Sequence, residues 1–242
     1  VNPYGSRWRS GAGSLGIGVS DAAAPAGVAS GSALPAGQGR LDRFRILFVC
    51  TGNICRGPMA ERLTRHELAR RLGPGYAAEC GVEVESAGTW GHEGAGMEAN
   101  AASVLEDYGA PADGFTGREL VEEHVAEADL VLAATRDHRS QVISMGYSAG
   151  LRTFTIKEFT RLVGAIDPLT LPPAGAGVGV RATALVRAAA ALRGWLLAAT
   201  PEADEIDDPY GAPLTVFRHV GDEIFRSLDP VLTVLTGIDA RG

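Results

Sequence analysis

Residues 45–72, RILFVCTGNICRGPMAERLTRHELARRL, constrain this chain more than any other stretch. RILFVC is a continuous apolar run of strand length, without the alternation of a sheet wetted on one side. It predicts a strand buried on both faces. Short polar residues and glycine follow, and Pro58 stands where the first turn of a helix accepts proline. MAERLTRHELARRL then runs as a helix to the GPG at 73–75. The same alternation continues downstream. VEVES (82–86) predicts a second strand and MEANAASVLEDYG (97–109) a helix closed by Gly109. DLVLAAT (129–135) and LRTFTI (151–156) predict two more strands, followed by helices over RDHRSQVISMG and KEFTRLV. This order predicts an α/β fold with a four-stranded parallel sheet, right-handed crossovers and helices on its flanks.

The two ends of the chain read differently. Residues 1–42 are rich in Gly, Ala, Ser and Pro and lack periodicity, which predicts a disordered, low-complexity tail. The chain opens on Val rather than Met, consistent with an alternative start codon or a trimmed N-terminus. Residues 43–242 form the single domain, with extra material expected around 157–203. Within that segment, 164–180 reads as a turn-rich loop and RATALVRAAAALRGWLLAA (181–199) as a helix. In the last segment Phe217, Val220, Ile224, Leu228, Val231 and Leu235 share one helical face, with Pro230 expected to kink or split that helix.

Composition narrows the function. The net charge of −7 and the absence of a Lys/Arg block argue against nucleic acid as a partner. No apolar run reaches the roughly 18 residues of a membrane span, and no secretory leader pattern is visible. Three cysteines, two of them five residues apart, do not make a disulfide scaffold; a reducing cytoplasm fits them better.

The loop CTGNICR carries the chemistry. A short loop between a strand end and a helix N-terminus turns backbone N–H groups inward and makes an anion cradle. The nucleotide-binding pattern GxxxxGK[ST] is absent. Cys50 stands at the first position and Arg56 at the seventh. An arginine fork can grip two phosphate oxygens, and a thiol in such a field is expected to ionise at a lowered pKa. A thiolate beneath a held phosphate is placed for in-line attack. Gly52 allows close backbone approach, and Asn53 tolerates a left-handed conformation. Two plainer readings compete: Cys50 as an inert buried thiol, and Cys50 with Cys55 as half of a metal site lacking its second ligand pair.

VCTGNICRGPMAE resembles the signature C-x5-R-[ST] of the low-molecular-weight protein-tyrosine phosphatases. ESAGT (85–89), ADLVLAAT (128–135) and IDDPYGAP (206–213) resemble the second strand, third strand and acid loop of that family in the same order. The resemblance covers roughly residues 44–242 and implies the Rossmann-like fold of the family. It implies hydrolysis of phosphotyrosine in proteins through a phosphocysteine on Cys50, with no metal or other cofactor. Arg56 and the loop residues Thr51, Gly52, Asn53, Ile54 and Cys55 would hold the phosphoryl group. Ser86 would hydrogen-bond Asn53, and Trp90 and Tyr210 would line the pocket mouth. The implied partner is a tyrosine-phosphorylated protein, in bacteria a tyrosine kinase among the candidates.

Three Asp-Pro pairs compete for the general acid: Asp167, Asp208 and Asp229. Asp208, followed by Pro209 and Tyr210, matches the family pattern; Asp207 is the runner-up. His66, His124, His138 and His219 are expected at surface or capping positions without a catalytic role.

The chain also departs from the pattern. Gly57 replaces the Ser or Thr that steadies the leaving thiolate, so the second chemical step is expected to be slowed. Gly211 follows Tyr210, which would leave the pocket more open, and Phe115 stands where many members keep a supporting histidine. A reversible Cys50–Cys55 disulfide would protect the nucleophile. Arsenate reduction lacks its relay cysteines, Cys80 being misplaced for it. A protein-arginine phosphatase and a weakly active phosphate-binding homologue stay open as alternatives.

Overall fold

In the computed structural model, residues 43–146 and 148–238 are described; the tail expected over 1–42 lies outside them. The strand read from RILFVC is β1 (Phe44–Cys50), and the signature helix is α1 (Arg56–Leu72). A short helix that the sequence pattern did not announce, α2 (Tyr76–Cys80), leads into β2 (Val82–Gly88). Next come α3 (Ala99–Asp107), a second unannounced helix α4 (Glu122–Glu127), β3 (Leu130–Ala133) and α5 (Arg136–Met145). The chain continues through β4 (Thr153–Thr155), α6 (Ile156–Val163), α7 (Val178–Leu192) and α8 (Leu214–Thr236). The four strands pair in parallel in the order β2-β1-β3-β4.

The unbroken apolar character of β1 follows from burial on both faces. Phe44, Ile46, Phe48 and Cys50 enter the core beneath α1, α3, α6, α7 and α8, while Leu47 and Val49 enter the smaller core beneath α4 and α5. Helix α8 packs against α1, α3, α6 and α7 with its expected stripe buried. Its approach to α3 depends on Gly221, where a Cβ would fall 2.4 Å from Val104 Cγ1.

Two local expectations are narrowed. Of the kink or split expected at Pro230, the split does not occur: α8 runs through it. Side-chain donors stand beside the break in its hydrogen-bond ladder: Thr160 donates to the Ser227 carbonyl, and Arg71 and Thr233 to the Asp229 carbonyl. Helix α7 starts at Val178 and stops at Leu192, so RGWLLAA is not helical. Gly194, with a φ of 91°, ends the helical pattern and leaves Trp195 exposed. Among the described residues, no helix is long and apolar enough to cross a membrane.

Candidate active site

The central strands β1 and β3 lie side by side, and the chain leaves them toward opposite edges of the sheet. Their C-terminal ends therefore flank the crevice where open α/β sheets bind ligands. The 51–55 loop crosses that crevice between β1 and α1. Asn53 takes a φ of 53°, the one positive value among the described non-glycine residues, and is wholly buried. Its amide is held at both ends: Nδ2 donates to Ser86 Oγ at 2.9 Å, and Oδ1 accepts from the Arg118 N–H at 3.0 Å. Ser86 Oγ in turn donates to the buried Glu61 Oε2 at 2.6 Å. The end of β2 presses on the loop at Gly88, where any Cβ would meet the Thr51 carbonyl oxygen at 2.4 Å. At Gly52 a Cβ would fall 2.9 Å from His92 Cδ2.

Cys50, Arg56 and Asp208 line one cleft. Arg56 is buried, its guanidinium donating to the Ile206 carbonyl (3.1 Å), Thr51 Oγ1 (3.1 Å) and Asp208 Oδ2 (2.6 Å). Asp208 is half-exposed, and its Oδ1 accepts from the Tyr210 N–H. The rival Asp-Pro pairs have structural work elsewhere. Asp167 caps a short turn through the Leu169 N–H, and Asp229 pairs with Arg71 between α8 and α1. Asp207 is exposed.

The electrostatics of Cys50 correct one expectation. Burial pushes the Cys50 thiol up, against the charge of Arg56 and the N–H groups of Gly57 and Asn53, which favour the thiolate. The loop's field alone predicts a depressed thiol; the buried sulfur loses more hydration than those donors return. Cys55 is pushed up to about 12, by burial first and then by Cys50 and Glu98. Both thiols are free.

The walls of the cleft are Ile54, Cys55, Trp90, His92 and Tyr210. Trp90 is 78% and Tyr210 67% exposed, so both aromatic rings are available to a ligand rather than spent in the core. Phe115 lies under the Arg62 guanidinium, 5.7 Å from its ring centroid. At Gly57 a Cβ would stand 3.0 Å from Cys50 Sγ and 3.2 Å from Asn53 Nδ2.

Of the histidines expected at surface or capping positions, one sits at the capped start of α5 but is not at the surface. His138 is buried, with Nε2 3.0 Å from Thr51 Oγ1 and Nδ1 2.7 Å from Thr135 Oγ1. The sequence signal for it was thin: a polar residue in the first turn of an amphipathic helix normally faces water. Glu61 and Arg118 were likewise missed, because each acts through a contact far away in sequence. Among the described residues, no three His, Cys, Asp or Glu side chains gather as a metal site. The arrangement can hold a tetrahedral oxyanion against a sulfur nucleophile, with a carboxyl group at the open side.

The model for "Low molecular weight phosphotyrosine protein phosphatase" matches residues 45–170, past the start of the segment expected to be inserted. A protein-arginine-phosphatase of Geobacillus stearothermophilus is 30% identical over 186 residues, covering 77% of this chain and 92% of that protein. The low molecular weight protein-tyrosine phosphatase A of Mycobacterium tuberculosis is 39% identical over 133 residues, covering 52% of this chain and 77% of that protein. Among solved structures, the arginine phosphatase from Geobacillus stearothermophilus superposes with a TM-score of 0.56 at 29% identity, over 80% of this chain and 94% of that one. A low molecular weight protein tyrosine phosphatase from T. tengcongensis gives a TM-score of 0.54 at 28% identity, over 78% and 97%.

Proposed function

Because this chain belongs to the low molecular weight phosphotyrosine protein phosphatase family, we propose that it hydrolyses phosphotyrosine in proteins by way of a phosphocysteine on Cys50. The observation that carries this reading is the convergence of Cys50, Arg56 and Asp208 on one cleft, with Asp208 at hydrogen-bond distance from Arg56.

In the first step the Cys50 thiol gives its proton to a phosphoryl oxygen of the bound substrate, and the thiolate so formed makes the S–P bond as the bond from phosphorus to the tyrosine oxygen breaks. Asp208, protonated, gives its proton to that departing oxygen. Arg56 and the loop N–H groups take up the charge on the equatorial oxygens. In the second step water attacks phosphorus, Asp208 accepts its proton, and the S–P bond breaks to return thiolate and phosphate. Gly57 leaves the departing sulfur its backbone N–H but no hydroxyl. One hydrogen bond to a charged group contributes about 1.5–3 kcal/mol, roughly a ten- to hundred-fold change in the second step. The substrate is a tyrosine-phosphorylated protein, and a bacterial tyrosine kinase is one candidate of that class.

Ile54, Trp90 and Tyr210 support a tyrosine ring, since a guanidinium against Ile54 would lack a polar partner there. Hydrolysis of phosphoarginine is the second reading, favoured by the match to the Geobacillus protein-arginine-phosphatase over most of the chain. Stopped-flow release of p-nitrophenol from p-nitrophenyl phosphate, beside a Cys50→Ser control, tests the mechanism. A burst near one equivalent that the control lacks is expected; no release from either protein rejects the hydrolase. Comparison of kcat/KM on phosphotyrosine and phosphoarginine peptides then separates the two substrates.

A further inference from the structure

The ends of β1 and β3 are joined by two threonines and a histidine. The strands pair as far as Val49 and Ala133, and two residues beyond each partner stand Thr51 and Thr135. Thr135 caps α5 by accepting from the His138 N–H, which brings the imidazole back toward the strand ends. The ring then spans the gap, 2.7 Å from Thr135 Oγ1 through Nδ1 and 3.0 Å from Thr51 Oγ1 through Nε2. Thr51 Oγ1 also accepts from Arg56 Nη2 at 3.1 Å.

We propose that His138 is a positioning residue for Arg56, acting through the Thr51 hydroxyl. The proposal rests on the reading of Arg56 as the group that grips the phosphoryl oxygens. A charged donor on Thr51 Oγ1 makes that hydroxyl a better donor in turn, so its proton points to His138 Nε2. The bond order then runs Arg56 Nη2–H to Thr51, Thr51 O–H to Nε2, and Nδ1–H to Thr135, which assigns the Nδ1–H tautomer. The ring has to stay neutral for Nε2 to accept. Burial and the Arg56 charge do this, holding His138 down at about 4 against the opposing pull of Asp208 and Asp137.

The functional consequence lies in what remains when Asp208 works as an acid. Asp208 is half-exposed and must turn from Arg56 to the departing oxygen. Ile206 O and Thr51 Oγ1 are then the contacts that keep the guanidinium plane aimed, and His138 fixes the second of them.

The test uses inorganic phosphate as probe, with binding read by calorimetry and KM and kcat by p-nitrophenyl phosphate turnover. Thr51→Val and His138→Leu are each expected to weaken phosphate and raise KM by roughly tenfold, with a smaller change in kcat. The double variant is expected to be no weaker than either single variant. His138→Gln, whose amide oxygen can replace Nε2 as acceptor, and Thr51→Ser are expected to recover most of the affinity. Full phosphate affinity in both Thr51→Val and His138→Leu, or losses that add in the double variant, overturns the proposal. If His138→Leu does not fold, His138→Asn takes its place, its amide one bond too short to reach Thr51 Oγ1: full phosphate affinity in that variant overturns the proposal. A wild-type protein that binds phosphate without turnover rejects the hydrolase reading alone, since the calorimetric comparison still stands. A wild type that binds no phosphate overturns both.

Discussion

Asp208 Oδ2 lies 2.6 Å from Arg56 Nη2, which ties the proposed acid to the group proposed to hold the phosphate. The arginine end is buried and the aspartate end half-exposed, so the carboxylate is the partner free to move. A phosphoryl oxygen entering the cleft competes with it for the same guanidinium.

Asp208→Asn separates those two roles. The amide cannot transfer a proton, so kcat on a phosphotyrosine peptide is expected to fall about 10²- to 10⁴-fold. Affinity for inorganic phosphate is expected to hold or improve, because a negative charge beside Arg56 is gone. Steady-state kinetics with phosphate as competitive inhibitor reads both; an unchanged kcat would move the acid to Asp207.

Gly57→Ser tests the second step. The new Cβ comes within 3.0 Å of Cys50 Sγ, close enough for a hydroxyl to reach the sulfur at the cost of a small shift. The expected result is a smaller burst and a steady-state rate raised roughly ten- to hundred-fold. A burst of unchanged amplitude with no gain in turnover would place the slow step elsewhere.

Ser86→Ala removes the hydroxyl between Asn53 and Glu61, leaving a buried amide and a buried carboxylate each short of a partner. A loss of about 1–3 kcal/mol in stability is expected. Activity should fall as well, because Asn53 shapes the loop proposed to hold the phosphate. Thermal unfolding and kcat/KM of the same preparation check the two together. Loss of stability with wild-type kcat/KM would show that the loop does not need this brace.

Acidification should destabilise the fold through His138. Its folded value of about 4 lies below the ordinary 6.5, so the unfolded chain binds the proton first. Stability is therefore fully present above about pH 6.5 and lost as the pH falls toward 4. At pH 5 the loss attributable to this ring is about 2 kcal/mol. Denaturant unfolding at pH 7 and pH 5 measures it, and His138→Gln should show a shallower dependence. Equal pH dependence in the two proteins would assign the effect to other groups.

Much of the fold was legible because both signals for it are local. An unbroken apolar run and a glycine-rich turn before a helical pattern are written in consecutive residues, as in 45–72. The exceptions are instructive. The short helices α2 and α4 offer too few turns for a period to stand out. Helix α8 survives Pro230 while flanking carbonyls accept from Thr160 and Arg71, residues 67 and 158 positions away from those acceptors. The site divides the same way. Cys50, Arg56 and the loop between them share one segment, and the Asp-Pro-Tyr of 208–210 carries its own pattern. Glu61, Arg118 and His138 carry none, since each is an ordinary polar residue on a helix or loop.

By itself, the sequence determined the strand–loop–helix at 44–72, the alternation that makes a parallel sheet, and the residue types able to hold an anion and attack it. These follow from backbone preference and hydrophobic period, which act over a few residues. Only the tertiary structure decided that Glu61 and Arg118 complete the brace on Asn53, that His138 is buried against Thr51, and that the Cys50 sulfur is buried deeply enough to push its thiol up rather than down. Those outcomes depend on distance and desolvation between segments far apart in the chain, and neither quantity exists until the chain has packed.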